Sequence, residues 1–449
     1  LCRDRFGIKP LYYYDKNSTF IFSSEIKAIL EEKTVPRRAY LPAIADFLMG
    51  FHDHNESTFF EDILQIPPGH YLYFNLGNSN KKLIKYYDLA RATEDRISTV
   101  DEFGQVFHES VLLHLRSDVP VGTCLSGGLD SSSIASIAAY HMKNKFQKNF
   151  HAVTAKSEDP LNDETEYARQ VVEHLGLTWH LTKPCSEDFL MDWEKCIWFQ
   201  DEPPAGPSIF MQYFVMKAAK EAGIKVILDG QGGDESLLGY ERYYPVFFLH
   251  WLKKGILKKS YKEFIEATQN SRLSKNQMLM YCIYFLLPKV RAARKAMQFN
   301  HMPKELLEHG LNTIRENMKS YQDLKTMQIS EITKYQMLHL LKYEDRNSMA
   351  WSVEARVPFV DHELIETAIT LNPDDKIRNG YTKWALRKTM DGKMPDTITW
   401  RKDKIGFGAP DSKWVDVLKS QIDNRISKSL IIKELNLQHT MSKDNRLIL

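Results

Sequence analysis

The stretch LSGGLDSSS, residues 125–133, most constrains what this chain can fold into. An apolar run, VPVGTCL, leads into it and IASIAAYHM follows, so two glycines, an aspartate and four serines separate a predicted strand from a predicted helix. Successive backbone N–H groups at a helix N-terminus form an anion site. Gly127 and Gly128 allow the backbone to approach a phosphate, and Ser126, Ser131 and Ser132 add hydroxyl donors. Asp130 is the informative residue. A carboxylate facing phosphates needs a cation between them, and Mg²⁺ is commonly held by one or two carboxylates plus phosphate oxygens. A helix cap alone needs one Ser or Asp. No G-x-x-x-x-G-K-[ST] pattern occurs, which excludes the Walker type of phosphate loop.

Strands and helices alternate around this turn. VPVGTCL, FHAVTA, TWHLT and KVILDG read as strands, and 131–143, 164–175, 186–199 and 209–222 as helices. That alternation predicts an α/β fold, a parallel sheet with flanking helices on both faces. A second glycine-rich stretch, LDGQGGDESLLGY (228–240), follows the fourth strand. Its glycines suit close ligand approach, and Asp234 is expected to share one Mg²⁺ with Asp130. Beyond 240 the chain reads as a helical C-terminal part, with ISEITKYQMLHLLKYEDRNSMAW as one long element. MLMYCIYFLL (278–287) reads as a buried helix, since a bilayer span needs about 20 apolar residues.

The first residues pattern differently. STFIFSS and HYLYF read as strands, SEIKAILEE as a short helix, and the Pro-Pro-Gly before HYLYF as a turn. Residues 1–85 are therefore expected to be the end of a β-rich domain, with a second domain over 100–449. Roughly two to three domains suit 449 residues. Sixty basic against 58 acidic residues leave a net charge of +2, which calls for no nucleic acid and no membrane as partner. Five cysteines without a C-x-x-C spacing predict a reducing, cytoplasmic setting.

The turn S-G-G-L-D-S-S resembles the pyrophosphate loop of the N-type ATP pyrophosphatases, which cleave ATP between the α- and β-phosphates. Four further stretches are similar to asparagine synthetases in particular. These are LDGQGGDESLLGY, EDRNSMAWSVEARVPFVDHEL (344–364), WRKDKIGFGAP (400–410), and RDRFGIKPLYY (3–13) with IFSSEIKAIL (21–30). The last pair resembles the end of the class II glutaminase domain that precedes the synthetase in that family, an α+β fold with an N-terminal nucleophile. The resemblance implies an adenine nucleotide alpha hydrolase-like synthetase domain. It implies ATP-dependent amidation of aspartate through a β-aspartyl-AMP intermediate, with nitrogen from glutamine or ammonia and ATP and Mg²⁺ as cofactors. A homodimer is a possible assembly.

By resemblance, Leu125, Ser126, Gly127, Gly128, Asp130, Ser131, Ser132 and Gly230 would bind ATP, with Val153 beside the adenine. Asp130 and Asp234 would hold the metal, and Asp234 and Glu235 would meet the substrate. Lys404, with Arg401 and Lys402 as close competitors, would neutralise charge on the phosphates, and Asp234 and Gln231 complete the catalytic set. Two departures stand out. The glutaminase nucleophile is a cysteine at the mature N-terminus. Cys2 lies directly before a motif from that domain's end, so it is expected not to be that nucleophile, and the domain is expected to be N-terminally truncated. Gln231 stands where many of these enzymes carry Glu, and an amide cannot accept the proton of an incoming amine. The alternative is a paralogous amidotransferase acting on another carboxylate, such as a sugar acid.

Overall fold

A computed structural model describes residues 1–52, 56–78, 80–204, 206–402 and 408–435. Near the N-terminus, strands β1 (Tyr12–Lys16), β2 (Thr19–Ser23) and β3 (Ile63–Gln65) form an antiparallel sheet in the order β2-β1-β3. Strands β4 (His70–Phe74) and β5 (Lys81–Lys85) pair as a hairpin. The run Tyr12-Tyr13-Tyr14 does not alternate with polar residues because both faces of β1 are covered. Tyr12 and Tyr14 pack with Ile26, Ile29 and Ile63, and Tyr13 packs with Ile66 and Leu72.

The central sheet holds β6 (Val121–Cys124), β7 (His151–Ala155), β8 (Thr178–Thr182), β9 (Val226–Leu228) and β10 (Glu354–Arg356). All are parallel, in the order β10-β9-β6-β7-β8. The helices Val100–His114 and Leu129–Phe146 cover one face through Phe103, Phe107, Ile134 and Ala138. The helix Ser208–Glu221 covers the other, setting Val215, Met216 and Ala219 against Val153 and Ile227. Each buried Val, Ile, Met or Phe among them contributes roughly 1.5–3 kcal/mol. The chain steps outward from β6 to β7 and β8, then returns to β9 on the opposite side of β6. The carboxyl ends of β6, β7 and β9 therefore meet at a topological switch point, where open α/β sheets bind ligands.

Three local expectations are corrected. The stretch SVEARVPF lies in the helical part of the sequence, yet it re-enters the sheet as β10. The single long helix expected over 329–351 is two, Leu324–Thr333 and Gln336–Ala350, because Tyr335 adopts non-helical φ −123°, ψ −92°. The helix Lys275–Leu286 is only half buried: Met278 is in the core, but Leu279 and Met280 are exposed. Among the described residues no helix is long and apolar enough to cross a membrane.

Candidate active site

The serine-rich turn closes on itself first. Ser126 Oγ accepts the Gly128 N–H at 3.2 Å and shares a 3.2 Å hydrogen bond with Ser131 Oγ, while Ser131 Oγ donates to Gly128 O at 3.3 Å. Gly127 has φ +76°, and a Cβ there would fall 2.4 Å from Ala168 N. Its lack of a side chain lets the helix Thr165–Leu175 pack against the turn. Ser132 lies fully buried in the helix Leu129–Phe146.

A cavity of about 310 Å³ opens above this turn at the switch point. Leu125, Ser126, Gly128, Asp130, Ser131, Val153, Gly230, Gln231 and Asp234, nine of the residues singled out in the sequence, line it together. Gly127, Ser132 and Glu235 do not. Glu235 is buried beneath, where Tyr240 Oη donates to it at 2.8 Å. Burial, reinforced by Asp234, pushes its carboxyl up to about 7. Lys404 lies outside the described residues. Its competitors separate: Arg401 is held by Glu164 at 2.8 Å and stacks over the Tyr167 ring at 3.6 Å, whereas Lys402 is exposed.

A second chamber, about 330 Å³, adjoins the first and shares Gly128, Asp130 and Tyr240 with it. Its wall is basic, with Arg242, Lys383, Arg387, Arg401 and Lys402. Burial lowers the Arg387 guanidinium to about 10.

Lys383 is the residue that sequence reasoning missed. It is buried, and its ammonium contacts the Asp130 carboxylate and lies 2.7 Å from Asp234 Oδ1. It has φ +55° just before the helix Trp384–Met390. A left-handed non-glycine residue costs roughly 1–2 kcal/mol, strain that persists where function demands it. The contact is so close that a Cβ on Gly239 would fall 2.0 Å from both Asp234 Oδ1 and Lys383 Cε. No local motif marks Lys383; it is one basic residue in GYTKWALRK.

The sequence expectation put one Mg²⁺ between Asp130 and Asp234, and the Lys383 ammonium stands there in this structure. The donor set still fits a hard cation. Both carboxylates converge on one point beside the serine turn, and Asp130 Oδ1 is buried with no hydrogen-bond partner among the described residues. Two carboxylates completed by phosphate oxygens and water form an ordinary Mg²⁺ site. Among the described residues no group of three or more His, Cys, Asp or Glu side chains could hold a metal, so the protein's share is this pair.

A further polar cluster lines the first cavity on the β9 side. Gln231 Nε2 donates to Tyr343 Oη at 3.4 Å, and its N–H donates to Asp229 Oδ1 at 3.2 Å. The Asp229 carboxyl lies within hydrogen-bonding reach of Cys124 and Glu344. Burial raises both carboxyls above the usual range, and Asp229 raises Glu344 further. Burial likewise pushes the Cys124 thiol and the Tyr343 phenol up. Tyr343 and Glu344 straddle the start of the EDRNSMAW stretch.

Comparison with known proteins follows this division of the chain. The family model for asparagine synthase matches residues 102–444, and that for a glutamine amidotransferase domain matches residues 1–87. Asparagine synthetase [glutamine-hydrolyzing] 1 of Bacillus subtilis (strain 168) is 28% identical over 468 residues, covering 99% of this chain and 72% of that one. Asparagine synthetase [glutamine-hydrolyzing] 3 of the same organism is 28% identical over 456 residues, covering 97% and 70%. Amidase chyE of Penicillium rubens is 26% identical over 462 residues, covering 92% and 67%.

Proposed function

The chain belongs to the asparagine synthase family, and we propose that it amidates aspartate at the expense of ATP, releasing AMP and pyrophosphate. In this reading residues 1–85 belong to the glutaminase part, which takes nitrogen from glutamine, and 100–449 are the synthetase. The observation that carries the proposal is the convergence of Asp130, Asp234 and Lys383 between the serine-lined cavity and the basic chamber. A carboxylate is a poor acyl donor. Its attack on the α-phosphate of ATP makes an acyl-adenylate, and ammonia then displaces AMP.

Each part of the site has work in that sequence. Ser126, Gly128 and Ser131 would exchange the hydrogen bonds they make within the turn for phosphate oxygens, and Val153 gives the nucleobase an apolar wall. Bound Mg²⁺, held by Asp130 and Asp234, would offset the negative charge of the departing pyrophosphate. Lys383 holds the two carboxylates together and adds a buried positive charge, and Lys404 is assigned to the same neutralising task. The basic chamber suits the pyrophosphate on its way out.

The test is pyrophosphate release by the purified protein with ATP, Mg²⁺, ammonium and a panel of carboxylic acids. Aspartate should give the highest rate, and Asp130→Asn or Asp234→Asn should each abolish it without unfolding the protein. Near-normal turnover in either variant would remove the metal assignment. A second reading keeps the chemistry and changes the acceptor to another carboxylate, such as a sugar acid. Gln231 in place of Glu favours it, and a higher rate with such an acid than with aspartate would select it.

A further inference from the structure

The incoming ammonia must lose a proton as the amide forms, and Gln231 cannot take it. Two carboxyls stand directly behind this glutamine. Asp229 follows the end of β9 and lines the cavity, its N–H fixed on Arg356 O at 2.9 Å. Glu344 comes from the helix Gln336–Ala350 and is 2% exposed. One of its oxygens accepts from Gln212 Nε2. The orientation of that amide is set by a relay of others: Gln200 Nε2 donates to Asn347 Oδ1 at 2.8 Å, and Asn347 Nδ2 donates to Gln212 Oε1 at 2.8 Å. Glu344 Oε1, in contrast, is buried with no hydrogen bond of ordinary geometry among the described residues. The Glu344 carboxyl as a whole lies within hydrogen-bonding reach of Asp229 and of the Gln231 amide. Two facing carboxylates cannot hydrogen-bond unless they share a proton, and a buried pair carrying both charges is strongly disfavoured. A pair that keeps one proton and one negative charge meets both limits, and the charge can face the cavity at Asp229.

We propose that Asp229, backed by Glu344, is the base that accepts the proton of the attacking ammonia, the role that Gln231 cannot fill. The inference rests on reading the site as an amide-forming synthetase. Ammonia attacks the acyl carbon of the adenylate, the C–N bond forms, and the C–O bond to AMP breaks with its electron pair leaving on AMP. The surplus proton on nitrogen passes to Asp229 and is later released to solvent. Asp229 is the catalytic residue of this step. Glu344 is a positioning residue, since it acts through the shared proton. Gln231 then serves as a donor that keeps both carboxyls aligned.

The experiment separates the two half-reactions. Aspartate-dependent exchange of labelled pyrophosphate into ATP reads adenylation alone, and amide formation with ammonium reads the whole sequence. Absence of exchange in the unmodified protein would sink the functional reading itself, whatever the variants do. Given exchange, Asp229→Asn should lower amide formation by about 10²–10³, the range of a lost general base, while exchange falls only a few-fold. Glu344→Gln should behave in the same sense but more mildly. Hydroxylamine is the discriminating nucleophile: it is largely unprotonated at neutral pH, and its adduct is acidic enough to lose its proton to water. Hydroxamate formation should therefore be nearly the same in Asp229→Asn and the unmodified protein. Equal losses with ammonium and hydroxylamine, or a parallel loss of exchange, would overturn the assignment of Asp229 as the base.

Discussion

At the scale of single residues, Lys383 decides whether Asp130 and Asp234 can coexist. Two carboxylates converging in a buried site repel each other, and the Lys383 ammonium is the charge that offsets them here. Lys383→Met should therefore cut pyrophosphate release by about 10²–10³, as for loss of one preorganised charge partner. Gly239→Ala should give a similar loss, because its new methyl would occupy the same space as the Asp234 and Lys383 contact. Steady-state pyrophosphate release measures both, and a Gly239→Ala protein with unchanged turnover would contradict the closeness of that contact. The serine turn was legible in the sequence because its chemistry is local: glycines, hydroxyls and an aspartate within nine residues. Lys383 was not, because it reaches Asp130 across 253 positions and carries no neighbouring motif. Asp229 and Glu344 were illegible for the same reason. Each looks like an ordinary carboxylate until the fold brings them together.

At the scale of elements, four strands of the central sheet were legible because buried parallel strands read as apolar runs between helices. The fifth was hidden. β10 is three residues long, with a charged residue at each end, and only its pairing with β9 makes it a strand. Lys376 joins two other helices whose meeting no local pattern announces. It ends the short helix Pro373–Lys376 and donates to Gln328 Oε1 of the helix Leu324–Thr333 and to Ile369 O of the helix His362–Thr370, both at 2.7 Å. Gln328 in turn donates to Ser236 O in the turn that follows β9. Burial, aided by Lys325, lowers the Lys376 amine to about 7, against about 10.4 in an unfolded chain. Below pH 7 both states hold the proton and the cost of burying the ammonium is fully felt. Between these two values only the unfolded chain holds it, so this residue's contribution to stability rises with pH. Urea unfolding of the unmodified protein and of Lys376→Met at about pH 6, 8 and 9.5 should show the difference moving in favour of lysine, by on the order of a few kcal/mol. A pH-independent difference would mean that Lys376 keeps its proton in the folded state.

At the scale of the whole molecule, the part matching the amidotransferase domain and the part matching asparagine synthase share buried cores. Phe6 shares a core with Ile332, Met337, Leu341 and Val360, and Ala45, Leu48 and Met49 share another with Phe299, Leu311 and Ile314. The charges between them are buried as well. Asp201, in the left-handed region at φ +62°, accepts the N–H groups of Ile26 and Lys27 at 2.9 and 3.3 Å, and so caps a helix of the other part. Its carboxylate, 1% exposed, also pairs with Arg346 at 2.9 Å and Lys27 Nζ at 3.1 Å. Beside it, Glu202 joins Lys342 at 2.7 Å and accepts the Phe59 N–H at 3.0 Å. Removing one partner of a buried ion pair costs about 3–5 kcal/mol, since the other charge is left uncompensated. Asp201→Asn keeps an oxygen for the cap but leaves Arg346, among the described residues, only the longer 3.9 Å contact with Glu25, so its cost should fall on the junction rather than on either core. The unmodified protein should melt in a single transition. In Asp201→Asn, hydrogen exchange should accelerate first in residues 1–87, notably at the Ile26 and Lys27 amides, while the helix Leu129–Phe146 stays protected. Arg346 also lies two positions beyond Glu344 on the same helix, so loosening the junction should lower amide formation more than adenylation. Uniform acceleration of exchange across the chain would show that Asp201 stabilises the fold as a whole and does not couple its two parts.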